Sequence, residues 1–91
     1  MNQKRAIVSV VGKDQVGIIA KVTAILAEEQ VNILDINQTI LQDFFTMMML
    51  VDVTKFENLE ILQNRLSELG ESLGLTINVQ LDEIFQAMHR V

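Results

Sequence analysis

The order in which the spacing of apolar residues changes along the chain constrains this sequence most. Between residues 5 and 81 the spacing runs two, then three to four, then two, two, three to four, and two again. Spacing of two builds a strand with distinct faces, and spacing of three and four builds an amphipathic helix. The predicted order is therefore strand, helix, strand, strand, helix, strand. "RAIVSVV" (5–11) is a β-branched run that Gly12 is expected to end. "GIIAKVTAILAEEQ" places Ile18, Val22, Ile25 and Leu26 on one side of a helix of about three turns. "VNILDINQTIL" (31–41) sets Leu34, Ile36 and Ile40 against Asp35, Asn37 and Thr39, and "FFTMMMLVDV" (44–53) follows after only Gln42 and Asp43, close enough for an antiparallel hairpin. Thr54 and Glu57 have the spacing of a capping box before Leu59, Leu62, Leu66, Leu69 and Leu73, and Gly74 is a natural stop for that second helix. "LTINVQL" (75–81) alternates without a fault. "DEIFQAMHRV" (82–91) offers Asp82 as a cap and Ile84, Phe85, Met88 and Val91 as one face of a short terminal helix.

Right-handed crossovers place both helices on one face of a four-stranded antiparallel sheet. The expected fold is thus α+β, a ferredoxin-like βαββαβ sandwich plus a short C-terminal helix, in a single domain over 1–91 with its core in 5–81. One sheet face is left without helices. With a turn at Gln42-Asp43, that face is predicted to carry Leu41, Phe44, Met48 and Leu50 among Ile33, Asp35, Asn37, Thr39, Thr46 and Asp52. Four large apolar residues there call for a cover, either the terminal helix or a second subunit.

Composition narrows the chemistry. With four aromatic residues, all Phe, in 91, the core must be aliphatic. A formal net charge of −5 argues against a polyanion as ordinary partner, so no direct nucleic-acid binding is expected. The absence of cysteine removes disulfides, thiolate metal sites and thiol catalysis, and it suits a reducing cytoplasm. No stretch approaches the length of a membrane helix, so no membrane association is expected.

The stretch "GKDQVGII" (12–19) joins the first strand to the first helix. It opens like a phosphate loop, but Ile18 and Ile19 stand where that motif needs lysine and a hydroxyl. The acylphosphatases share this strand order, yet their first loop cradles phosphate with an arginine. Lys13 and Asp14 occupy it here, and the carboxylate would repel a phosphoryl group. The only histidine, His89, lies near the C-terminus, and no nucleophile has a base beside it, so neither a catalytic site nor a metal or cofactor is expected. RNA recognition on the sheet would need exposed aromatics among basic residues, which "FFTMMMLV" does not supply.

What the loop does offer is physical. Gly17 allows a tight turn into the helix, whose first N–H groups, around Gly17, Ile18 and Ile19, are receptive to a carboxylate. Asp14 suits an ammonium group, and Asn32, opening the second strand, brings a donor and an acceptor. An anion-binding helix start with an acid and an amide suits a zwitterion. Alternatively, Asp14 caps the helix and Asn32 makes a turn.

"KDQVGIIAKVTAILAEEQVNILDINQ" resembles the signature of ACT domains: a polar loop, a glycine at the helix start, an aliphatic helix, and "VNI" about fifteen residues later. The short chain and its tail are similar to small stand-alone ACT proteins related to the glycine-cleavage regulators. The resemblance implies a regulatory module, not an enzyme, that binds a small molecule, typically an amino acid, and pairs with a second copy. It also implies a site at the junction of two domains, which in this chain assigns Asp14, Gly17 and Asn32 with the backbone of Ile18 and Ile19. Val16 departs from the proline common in the family, so the loop is less rigidly preset. The rival functions are an oligomerising protein-interaction module without a ligand, and a small acylphosphatase-type hydrolase.

Overall fold

A computed structural model describes residues 4–83. They form β1 (Arg5–Lys13), α1 (Ile18–Glu28), β2 (Asn32–Leu41), β3 (Phe44–Asp52), α2 (Glu60–Leu73) and β4 (Thr76–Leu81). The strands make one sheet in the order β2-β3-β1-β4, with every pairing antiparallel. This is the ferredoxin-like βαββαβ arrangement. Of the terminal helix expected over 82–91, residues 84–91 lie outside the described residues.

Alternation on the two central strands creates the core. Val8, Val10, Met47, Met49 and Val51 are completely buried on the helix-bearing face. Cross-strand partners, among them Val8↔Met49 and Val10↔Met47, stack side by side there. Each helix buries an i, i+4, i+8 row against them: Ile18, Val22 and Leu26 from α1, and Leu62, Leu66 and Gly70 from α2. Among the described residues no polar or charged side chain is buried, so packing alone organises this interior. Outside it, Arg65 of α2 donates to Glu29 at 2.8 Å and also to Glu28, fastening α2 to the C-terminal end of α1. Those two hydrogen bonds, to Glu28 first and then Glu29, raise the Arg65 pKa above its ordinary value.

Three local expectations are corrected. The Thr54–Glu57 capping box does not form: the Thr54 hydroxyl instead accepts from the Lys4 N–H at 3.0 Å and donates to Asp52. The helix therefore starts at Glu60, whose N–H donates to Asn58 Oδ1 at 3.0 Å. Gly12 does not end β1 but lies within it, opposite Phe45, at a point where an added Cβ would collide with Leu75. Finally, Ile33 is on the helix-bearing face, opposite Val51, because a bulge at Leu34 inserts one residue between the pairs Ile33↔Val51 and Asp35↔Leu50. Beyond the bulge Asp35, Asn37, Thr39 and Leu41 occupy the helix-free face as the alternation predicted. There Leu41 and Phe44 are exposed, while Met48 and Leu50 are half-buried.

Gly70 marks a close approach of α2 to the chain entering β4. A Cβ at this position would lie 2.8 Å from the Leu75 carbonyl oxygen and 3.3 Å from Ile77 Cγ1. Gly70→Ala gains roughly 1 kcal/mol of helix propensity, but forcing backbone apart in a packed core costs about 1–3 kcal/mol. The expected result is a net loss of stability, read as a lower urea midpoint with an unchanged slope.

Candidate functional site

The link from β1 to α1 is fixed from two sides. The Asp14 N–H donates to the Asp43 carbonyl at 2.7 Å, and Gln15 Nε2 donates to the Leu73 carbonyl at 2.8 Å. These bonds join the loop to the β2–β3 hairpin tip and to the end of α2. Gly17 then turns the chain at φ 89°, a left-handed conformation that glycine adopts without steric cost, and serves as the N-cap of α1. A glycine has no side chain with which to cap, and no other side chain caps this terminus. The first turn of α1 also lacks acidic residues. Its leading N–H groups are left without an intrahelical partner and point out of the helix start with the positive end of the dipole.

These N–H groups border a cleft of about 460 Å³ lined by Asp14, Gln15, Gly17, Ile18, Ile19, Ala20, Gln38, Ile40 and Phe45. The volume is within the range of small-molecule sites. Of the sequence-predicted site residues, the structure brings four together here: Asp14, Gly17, Ile18 and Ile19. Asp14 does not cap α1, and its side chain is exposed at the cleft.

Asn32 is elsewhere. It lines a second cleft of about 560 Å³ with Ala20, Thr23, Ala24, Leu26, Ala27, Val31 and Ile33. The separation follows from chain direction. β2 runs back along α1, so its first residue lies beside the end of the helix and its last residues lie beside the start. Six residues of strand put Asn32 roughly 20 Å from Gln38. Within one chain, then, Asn32 does not join the Asp14 cleft. In its place stand Gln38, Ile40 and Phe45, which sequence reasoning did not select. The antiparallel run of β2 against α1 was the signal for the first two, because it already places the end of β2 at the helix start.

β2 itself is an edge strand whose ten residues are nearly all exposed. Leu34, Ile36, Ile40 and Leu41 are 38–72% exposed along it, and Asp35 is its only charged residue. The two clefts lie end to end in the groove between this edge and α1.

Among the described residues no group of three His, Cys, Asp or Glu side chains is placed to hold a metal, and no helix is long and apolar enough to cross a membrane.

An ACT-domain family model matches residues 4–80. A UPF0237 protein of Clostridium acetobutylicum is 49% identical over 88 residues, spanning 96% of this chain and 99% of that one. The structure of an ACT domain protein from Streptococcus pneumoniae superposes with a TM-score of 0.81 at 41% identity, covering 93% of this chain and 97% of the other. A chain described as a glycine cleavage system transcriptional repressor shares the fold with a TM-score of 0.73, at 22% identity, over 89% of this chain and 47% of its own length. With its family model matched over nearly the whole described region and its element order unbroken, this chain belongs to the ACT domain family.

Proposed function

We propose that this protein is a regulatory module that binds a free amino acid in the cleft at the start of α1 and does so as a pair of chains. The observation that carries the reading is the uncapped N-terminus of α1 beside the exposed Asp14 carboxylate, both bordering one cleft. The N–H groups suit the α-carboxylate, and Asp14 suits the α-ammonium. A phosphate would meet Asp14 as a like charge. The loop also offers no arginine for the acylphosphatase reaction, so the reading assigns the protein no catalysis of its own.

The second chain is argued from β2. A long apolar edge with unpaired backbone groups invites pairing with another strand, and this edge carries a single charge to discourage it. Antiparallel pairing of two β2 edges about a two-fold axis sets the start of one strand against the end of the other. Asn32 of the second copy then arrives near Gln38 and Ile40, at the Asp14 cleft. The α1 face bordering the groove is small, Ala20, Thr23, Ala24 and Ala27, which leaves room for the second copy's helix to approach. Binding and association are in this way coupled: a ligand spanning the junction favours the pair.

Two measurements test this. Thermal unfolding against each amino acid at millimolar concentration is expected to show one or more that raise the melting temperature, since ligand at 100 times its dissociation constant adds about 2.7 kcal/mol. Asp14→Ala and Asn32→Ala are expected to remove the shift while the unliganded melting temperature stays within about 4 °C of the parent, as both side chains are exposed. No shift with any amino acid transfers support to the ligand-free interaction module. Sedimentation equilibrium is expected to give a dimer for the parent and a monomer for Ile36→Lys, which places a charge on the β2 edge; a monomeric parent rejects the pairing.

A further inference from the structure

We infer that the amino acid held in the Asp14 cleft has an apolar, uncharged side chain, of the class of leucine, isoleucine, valine, methionine or phenylalanine. The inference rests on the reading above and deepens it; it follows from what the cleft has left once the backbone charges of the ligand are met. Asp14 and the α1 N–H groups serve the ammonium and the carboxylate. Gln15 is already engaged, its amide donating to the Leu73 carbonyl. Within this chain's own lining Gln38 is then the one polar side chain left for the ligand's side chain, joined in the pair by the uncharged amide of the second copy's Asn32, and the remaining surface is Ile18, Ile19, Ala20, Ile40 and Phe45.

No lysine, arginine or histidine is in the cleft's lining. Lys21 comes close only at the helix start, its Cε 3.8 Å from where a Gly17 Cβ would sit, on the side given to the α-carboxylate, so an acidic side chain directed toward Ile40 and Phe45 would find no counter-charge there. A basic side chain would compete with the ammonium for Asp14, the one carboxylate in the lining. Either charge would be desolvated against hydrocarbon without compensation. An apolar side chain instead covers surface that is otherwise left in water. Ile18 and Phe45 are 2% exposed, whereas Ile19 and Ile40 are 37% and 49% exposed at the same opening. Ile40 is the telling residue. It points to the helix-bearing side of β2, opposite buried Phe45, yet no part of the described chain covers it. Ala20, on the exposed side of α1, leaves the room between them.

Calorimetric titration of the parent protein with single amino acids tests the class. Each methylene buried is worth about fourfold in affinity, so leucine is expected to bind at least tenfold more tightly than alanine, serine or glycine. Lysine, arginine, aspartate and glutamate are expected to bind more weakly than alanine. Ile40→Ser, at an exposed edge position, is expected to keep the fold by circular dichroism and to lower leucine affinity about tenfold while changing alanine affinity less than threefold. Serine, glycine or a charged amino acid binding as tightly as leucine overturns the apolar class and leaves the amino-acid reading standing. Equal loss of leucine and alanine affinity in an Ile40→Ser protein that sediments as the parent does also overturns the class, because the side chain then sits elsewhere. Silence from all twenty amino acids overturns both readings together.

Discussion

Everything in this fold depends on covering one face of the β1–β3 pair. Ala6, Val8, Val10, Met47, Met49 and Val51 are wholly removed from water there, beneath the two helices. Because the interior holds no buried polar side chain among the described residues, its stability comes from apolar area and close fit, with no side-chain hydrogen-bond network to fix the register from within. Register is fixed by alternation instead: a slip of one residue on β3 would carry Met47 and Met49 into solvent and bring Thr46 and Met48 inward. Methionine is well suited to the centre of such a layer, since its flexible thioether fills the space that Val8 and Val10 leave beneath the helices.

The same requirement determines where the candidate site can be. α2 is drawn tightly onto the sheet, with Gly70 against the Leu75 backbone and the Ile77 side chain of β4, and Arg65 ties it to the far end of α1. β2 is left at the edge, where Ile36 and Ile40 face the helix-bearing side but remain 43% and 49% exposed. A groove between α1 and that edge is the geometric remainder of the packing. Its upper end coincides with the turn at Gly17, where the helix dipole and the unpartnered N–H groups converge. The candidate site thus lies where the core stops covering the sheet, beside the exposed apolar residues of the β2 edge.

Much of the architecture was legible in the residues because it rests on local periodicity. The six elements, the stop at Gly74 and the turn at Gln42-Asp43 follow from spacing and composition, and the positive φ of 58° at Gln42 shows that the turn forms even without glycine. The start of α2 was misread because Thr54 has a capping sequence but a different partner. Its hydroxyl is claimed by Lys4, fifty residues away, and by Asp52. The position of Ile33 was misread for a related reason: a bulge at Leu34 leaves no mark in an alternation that already tolerates apolar residues on both faces.

The amino-acid sequence by itself determined the order of elements, the glycine-led helix start at Gly17 and the acidic residue in the loop before it, since each of these depends on neighbours a few residues apart. Only the tertiary structure decided which residues share the cleft. Gln38 and Ile40 join Asp14 across two dozen residues, while Asn32, which the motif ties to the same loop, lies at the opposite end of the groove. The reason is directional. An antiparallel return of β2 along α1 exchanges the near and far ends of the strand, and a linear pattern of residues records their spacing but not which end of the helix they come back to.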